Sequence, residues 1–237
     1  MTVRDALQHS LNLAKIRVAE RIRYNRVAAL AKRMGLNAKI KGYPSVAIGA
    51  FEVTPIELAV AYTAFANAGR RIEPHALLRV VAADGREPKT YKYEPREVLS
   101  PEIAYLMTHL MEGVIDHGTG AGVRVRGFKL PAAGKSGTSR DGWFAGYTKD
   151  LLVISWVHAR LYRFGRISMK AYELHPVREA ARMSLTPPPG IEIVTIDADT
   201  LMLATPLCQN TLEEAFIVGT APTVYCPLHS LKITKHS

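Results

Sequence analysis

Seven consecutive residues, Ala133-Gly134-Lys135-Ser136-Gly137-Thr138-Ser139, combine a fixed cation with three hydroxyls and two glycines. Such a stretch reads as one face of a short strand built for a polar, anionic ligand. The lysine supplies a positive charge, and the hydroxyls act as adaptable donors and acceptors. Gly137 leaves backbone uncovered, so an extended peptide can approach and add itself by main-chain hydrogen bonds, its carboxylate meeting the cation. The competing reading is a Gly/Ser/Thr loop with a solvated lysine. A second polar pair, Ser10 and Asn12 in Ser10-Leu11-Asn12, is spaced to face one side of a turn. His9 beside it reads as an exposed helix residue rather than a base.

The elements that must position these residues follow from caps and periodicity. Thr2-Val3-Arg4-Asp5 and Thr54-Pro55-Ile56-Glu57 are capping boxes, the second with proline at the first helical position. The first opens a helix carrying Ala6, Leu7, Leu11, Leu13 and Ala14. Residues 25–34 have helical spacing and stop at Gly35, and the helix from Pro55 carries Leu58, Tyr62 and Phe65 to Gly69. Ser100-Pro101 opens another, with Ile103, Leu106, Met107, Leu110, Met111 and Val114 at core spacing; its methionines read as core filler. That helix stops at Asp116-His117-Gly118-Thr119-Gly120, read as a stop and loop rather than a phosphate cradle.

Strand signals run over 77–82, before an Asp84-Gly85 turn, and then over 124–128, 133–139, 143–147 and 151–157. Short turns make the last three an antiparallel meander. Helices followed by an antiparallel sheet predict an α+β fold. Pro187-Pro188-Pro189-Gly190 reads as a linker, followed by a strand at 191–196 and a small appendage.

Composition narrows the classes. The chain has 237 residues, 48% hydrophobic, with a net charge of +10. Its 31 basic residues are scattered, with no run of five, so a basic nucleic-acid-binding module is the weakest reading and no nucleic-acid partner is expected. No apolar run approaches the ~20 residues that cross a bilayer, and no signal segment follows Met1.

Lys135-Ser136-Gly137-Thr138-Ser139 resembles the lysine–Ser/Thr–glycine motif of penicillin-binding proteins and serine β-lactamases, and Ser10-Leu11-Asn12 resembles their Ser-x-Asn motif. Gly118-Thr119-Gly120, Trp143-Phe144-x-Gly146-Tyr147 and the Thr-Pro-x-Glu-x-Ala helix start followed by Tyr62-x-x-Phe65-Ala66-Asn67-x-Gly69 are similar to bifunctional members in particular. The resemblance covers about residues 1–157. It implies a partial transpeptidase fold, an antiparallel sheet packed with helices, and peptidoglycan cross-linking by acyl transfer, with a stem peptide or β-lactam as ligand. It also implies an extracytoplasmic, membrane-anchored setting, cell-wall synthesis proteins as partners, and no cofactor.

By the same resemblance, Ser10 relays protons near the leaving amine and Asn12 bonds the substrate amide. Lys135 sets the local field, and Ser136 or Thr138 meets the terminal carboxylate, with Gly137 and Ser139 completing the strand. One departure is severe: no serine in the chain has a lysine three residues later. The family's Ser-x-x-Lys nucleophile belongs upstream of Ser-x-Asn, so the chain is expected to be an inactive fragment, or else a non-catalytic binding relative. A truncated chain is expected to be poorly soluble. Residues 158–186 diverge, a pattern expected of paired frameshifts or a deletion, with family-like sequence resuming at Lys170. Residues 187–237 form linker and appendage. In an extracytoplasmic protein a Cys208–Cys226 disulfide is preferred over a zinc site built from Cys208, Cys226, His229 and His236, which lacks Cys-x-x-Cys spacing; no metal is expected. Glu213 and Glu214 read as a solvated pair on a helix.

Overall fold

A computed structural model describes residues 2–37, 39–75, 77, 79–87, 89–90, 94–138, 141–157, 170–174 and 186–229. The chain divides into two compact units, Met1–Leu185 and Thr186–Ser237.

The first unit begins with three helices, α1 (Val3–Gln8), α2 (Asn12–Ile22) and α3 (Tyr24–Arg33), and a 3-10 turn at Pro44–Ile48. Thr2 and Asp5 form the expected capping box. The single helix expected through Ala14 is instead two. The chain breaks at Ser10, which sits at φ 56°, a left-handed conformation for a residue with a Cβ. Helix α4 (Pro55–Ala66) starts with its capping box at Thr54 and Glu57. It is apolar nearly all round because it is buried on both sides. Ala59 and Ala66 face one core, with Met111, Ala133, Ala145, Tyr147, Leu152 and Ile154. Ala61 and Ala64 face another, with Met34 and Val98.

Two small ribbons follow, β1 (Arg70–Arg71) paired with β4 (Arg96–Glu97), and β2 (Arg79–Val80) with β3 (Lys89–Thr90). The β2–β3 ribbon closes through the Asp84-Gly85 turn, but the strand expected over 77–82 is described only at Arg79–Val80. Helix α5 (Pro101–Asp116) is capped by Ser100, and Met111 is core filler as expected. The strand expected at 124–128 is wrong. Gly122–Val125 is a short helix, α6, ended by Gly127 at φ 89°. The β-branched Val123 and Val125 imitated strand alternation, but Arg124 anchors this turn to Asp116 at 2.8 Å and to the carbonyls of Phe128 and Leu130.

Four antiparallel strands complete the unit in spatial order β5 (Ala133–Thr138), β6 (Gly142–Tyr147), β7 (Leu152–Val157) and β8 (Lys170–Leu174). Leu152 and Ile154 alternate onto the helices. The chain therefore returns to the sheet at Lys170, in register with β7 from Trp156↔Lys170 to Leu152↔Leu174. The rest of 158–185 lies outside the described residues. Tyr147, 3% exposed, bonds its hydroxyl to Thr108 at 2.7 Å and fixes the sheet to α5.

The second unit is a hairpin, β9 (Ile191–Asp197) with β10 (Thr211–Ile217), followed by a coiled return. Glu213 and Glu214 therefore lie on a strand, not a helix, and point to opposite faces.

Candidate active site

Strand β5 supplies the cation. Ala133 and Gly134 are buried, Lys135 and Ser136 half-buried, and Gly137 and Thr138 exposed. Strand alternation separates what the sequence suggested was one face: Lys135 shares a side with Ala133, and Ser136 with Thr138. Both sides nevertheless meet loops brought from elsewhere. Lys135 Nζ donates to Ser10 Oγ at 3.2 Å and to the Ser136 carbonyl at 2.6 Å. Ser136 Oγ lies 2.7 Å from Thr119 Oγ1.

Ser10 reaches this point through packing of α1 on α5. Gln8, buried at the end of α1, lies against Gly113, where a Cβ would come within 2.0 Å of its amide nitrogen. The Thr119 amide donates to the Gln8 carbonyl at 3.0 Å. Gly118 is required there, since a Cβ would meet that carbonyl oxygen at 2.5 Å. The Gly-Thr-Gly loop is thus a clamp between α1 and β5.

Sequence reasoning missed Lys15. It lies on α2, one turn beyond Asn12, and its Nζ donates to Ser10 Oγ at 3.1 Å. Two lysines therefore converge on one hydroxyl. Burial, with the Lys15 charge beside it, lowers the Lys135 ammonium from 10.5 to about 8. Burial lowers Lys15 as well. The signal available in the sequence was the helical spacing Asn12-x-x-Lys15, which places both on neighbouring surface of one helix.

Asn12 opens α2 with an exposed side chain, and His9 is the exposed C-cap of α1. Ser139 lies outside the described residues. Among the described residues no strand pairs with the outer edge of β5, so that edge has no ladder partner there. Behind it, Trp143 and Trp156 stand opposite each other with centroids 5.7 Å apart, and Trp156 Nε1 donates to Asp141.

A cation pair, a shared serine hydroxyl, a hydroxyl pair and an open strand edge suit recognition of an extended peptide ending in a carboxylate. Residues 1–160 match the family described as penicillin binding protein transpeptidase domain. The chain belongs to that family. Its residues 187–231 also match the C-terminal domain of penicillin-binding protein 1A.

Among relatives, penicillin-binding protein 1A of Aquifex aeolicus is 28% identical over 95% of this chain and 32% of its own length. The solved penicillin-binding protein 1A of Haemophilus influenzae superposes with a TM-score of 0.76 at 21% identity, over 95% of this chain and 41% of that one. PonA1 of Mycobacterium tuberculosis, solved in complex with penicillin V, superposes at 0.56 with 23% identity, over 65% of this chain and 46% of that one. The fold is thus that of penicillin-binding transpeptidase domains, α+β as expected. The chain spans about a third of the length of the curated relatives it matches. Among the described residues no helix is long and apolar enough to cross a membrane.

At the other end of the chain, Cys208 and Cys226, the pair expected as a disulfide, are unbonded in this structure, Cys208 half-buried and Cys226 buried.

Proposed function

We propose that this site holds the D-alanyl-D-alanine end of a peptidoglycan stem peptide, or a β-lactam in its place. The terminal carboxylate lies against the Lys135 ammonium with the hydroxyls of Ser136 and Thr138. The peptide main chain runs along the outer edge of β5, and Asn12 meets its amide. The observation that carries this reading is the convergence of Lys135 and Lys15 on Ser10, beside a strand edge that has no partner among the described residues. Covalent acyl transfer needs an activated serine, and the 237 residues contain no Ser-x-x-Lys. What these residues contribute is therefore substrate-holding and proton relay, and the chain binds without being acylated. On this reading it acts on the outer side of the membrane, among other cell-wall synthesis proteins.

Saturation-transfer NMR of the full chain with N-acetyl-D-Ala-D-Ala and its L,L counterpart tests the reading. Transfer to the D,D peptide only, abolished in Lys135→Ala, is the expected result. Equal response to both peptides, or indifference to Lys135→Ala, refutes it. A second reading is favoured by the two lysines: Ser10 as the acylated residue. A fluorescent-penicillin band that survives SDS and disappears in Ser10→Ala would establish that instead.

A further inference from the structure

Among the described residues, a closely gathered set of ligating side chains outside this site lies in Thr186–Ser237. The ligand atoms of Asp197, Cys208, Cys226 and His229 all fall within 4.8 Å of one another. We propose that these four residues form a structural zinc site that closes the C-terminal unit.

Each ligand is held by the fold. Asp197 ends β9 and is fully buried. Its Oδ1 accepts from the amides of Asp199 and Thr200 and from the Thr200 hydroxyl, at 3.2, 2.8 and 2.9 Å. Its Oδ2 lies 3.1 Å from His229 Nδ1. Cys226, also fully buried, places Sγ 3.4 Å from the same nitrogen, and its amide is tied to Leu203 at 2.8 Å. Thr205 donates its amide to Cys208 Sγ at 3.3 Å and its hydroxyl to the His229 carbonyl.

Three alternatives fit this geometry less well. A Cys–His–Asp nucleophilic relay needs the thiol and the carboxylate on different imidazole nitrogens, whereas here both face Nδ1. A disulfide would use the two sulfurs and leave a buried carboxylate and imidazole unexplained. A hard cation such as calcium would not select two thiols. Zinc bonds to sulfur at about 2.3 Å and to nitrogen or oxygen at about 2.0–2.2 Å, which sets tetrahedral ligand atoms roughly 3.3–3.8 Å apart. The observed 3.1 and 3.4 Å pairs need only small adjustments to that spacing. On binding, both thiols release their protons to solvent and zinc keeps its oxidation state. Cys226-Pro227-Leu228-His229 also gives two ligands the short spacing of structural zinc sites. His236, offered in the sequence reading as the fourth ligand, lies outside the described residues, and Asp197 takes that place.

The unit needs such a closure. Among the described residues its buried apolar side chains are Ile191, Ile196, Ala215 and Cys226. A unit of roughly fifty residues with so small a core ordinarily relies on a metal or a disulfide.

The test uses the full chain, purified under reducing conditions and analysed for metal by mass spectrometry, independently of any peptide or penicillin binding. One zinc per chain is expected. Replacement by cobalt should give a thiolate charge-transfer band and the visible bands of a tetrahedral ion. Cys208→Ser should weaken that charge-transfer band, and Asp197→Asn should lower zinc affinity about tenfold or more with both thiolates kept. Wild-type protein that carries no metal and takes up neither zinc nor cobalt overturns the proposal, as does a Cys208–Cys226 disulfide in its place. So does zinc binding unchanged in Cys226→Ser. The wild-type metal content decides the matter even if a variant fails to fold.

Discussion

Replacing Lys135 with methionine separates the needs of the site from those of the fold. The lysine is half-buried beside a second ammonium, and its pKa falls from 10.5 to about 8. In a sealed site that drop would amount to about 3 kcal/mol, and partial exposure reduces it to on the order of 1–2 kcal/mol. Below about pH 8 both folded and unfolded chains hold the proton, so the cost of burying the charge is fully present. Between about 8 and 10.5 the folded chain releases the proton while the unfolded chain keeps it, and wild-type stability rises with pH. Lys135→Met lacks this rise. It also loses the bonds to Ser10 and the Ser136 carbonyl, each worth about 0.5–1.5 kcal/mol, so the two proteins are expected to be of similar stability near neutrality. The diagnostic is the slope: wild type should gain about 1–2 kcal/mol over the variant between about pH 7 and pH 10. Urea unfolding followed by tryptophan fluorescence measures it, because both tryptophans, Trp143 and Trp156, lie on the sheet that carries Lys135. Tyr62 and Tyr147, whose hydroxyls burial pushes up, destabilise both proteins equally at high pH and cancel. Parallel stability curves would refute the view that Lys135 is held as a desolvated cation.

Thr108→Val leaves the buried Tyr147 hydroxyl without its 2.7 Å partner and should cost about 1–3 kcal/mol in the same unfolding assay. Gly118→Ala drives a Cβ into the Gln8 carbonyl, and should cost about 1–3 kcal/mol while also weakening peptide binding, because Thr119 is displaced from Ser136. Thr54→Ala removes one half of the exposed α4 capping box and should lower stability by about 1 kcal/mol without touching ligand binding.

The parts of the fold legible in the sequence were those fixed by local chemistry. Thr2, Thr54 and Ser100 marked helix starts because their side chains cap the neighbouring backbone. The meander from Ala133 to Val157 was legible because its turns are short and its alternation is clean. The misreadings have equally local causes. A left-handed Ser10 has no signature in a sequence, so the break between α1 and α2 was invisible. Val123 and Val125 resembled a strand because β-branching was weighed without the Arg124 anchors that fold the segment into a turn. Lys135 and Ser136 were recognised through a motif, but Lys15 belongs to none, and its helical spacing from Asn12 carries no sign that it reaches Ser10. Asp197 was missed for the same reason, since a fourth ligand ten or more residues from its partners is a fact of tertiary structure.

Among the described residues the outer edge of β5 has no strand partner, and that has a further consequence. A row of unpaired amides and carbonyls does not distinguish a ligand's backbone from that of another copy of the protein. If β5 is open to a peptide as proposed, it cannot use the usual defences, a covering loop or a proline, without excluding that peptide. Its protection has to come from composition, and three of the residues present are poor at growing a sheet: a charged Lys135 and a glycine on either side of it, at 134 and 137. Substituting isoleucine at Ser136 or Thr138 would therefore threaten solubility before it threatened the fold. The residue types proposed to receive a peptide here are the same ones that keep the strand from becoming a seed for aggregation.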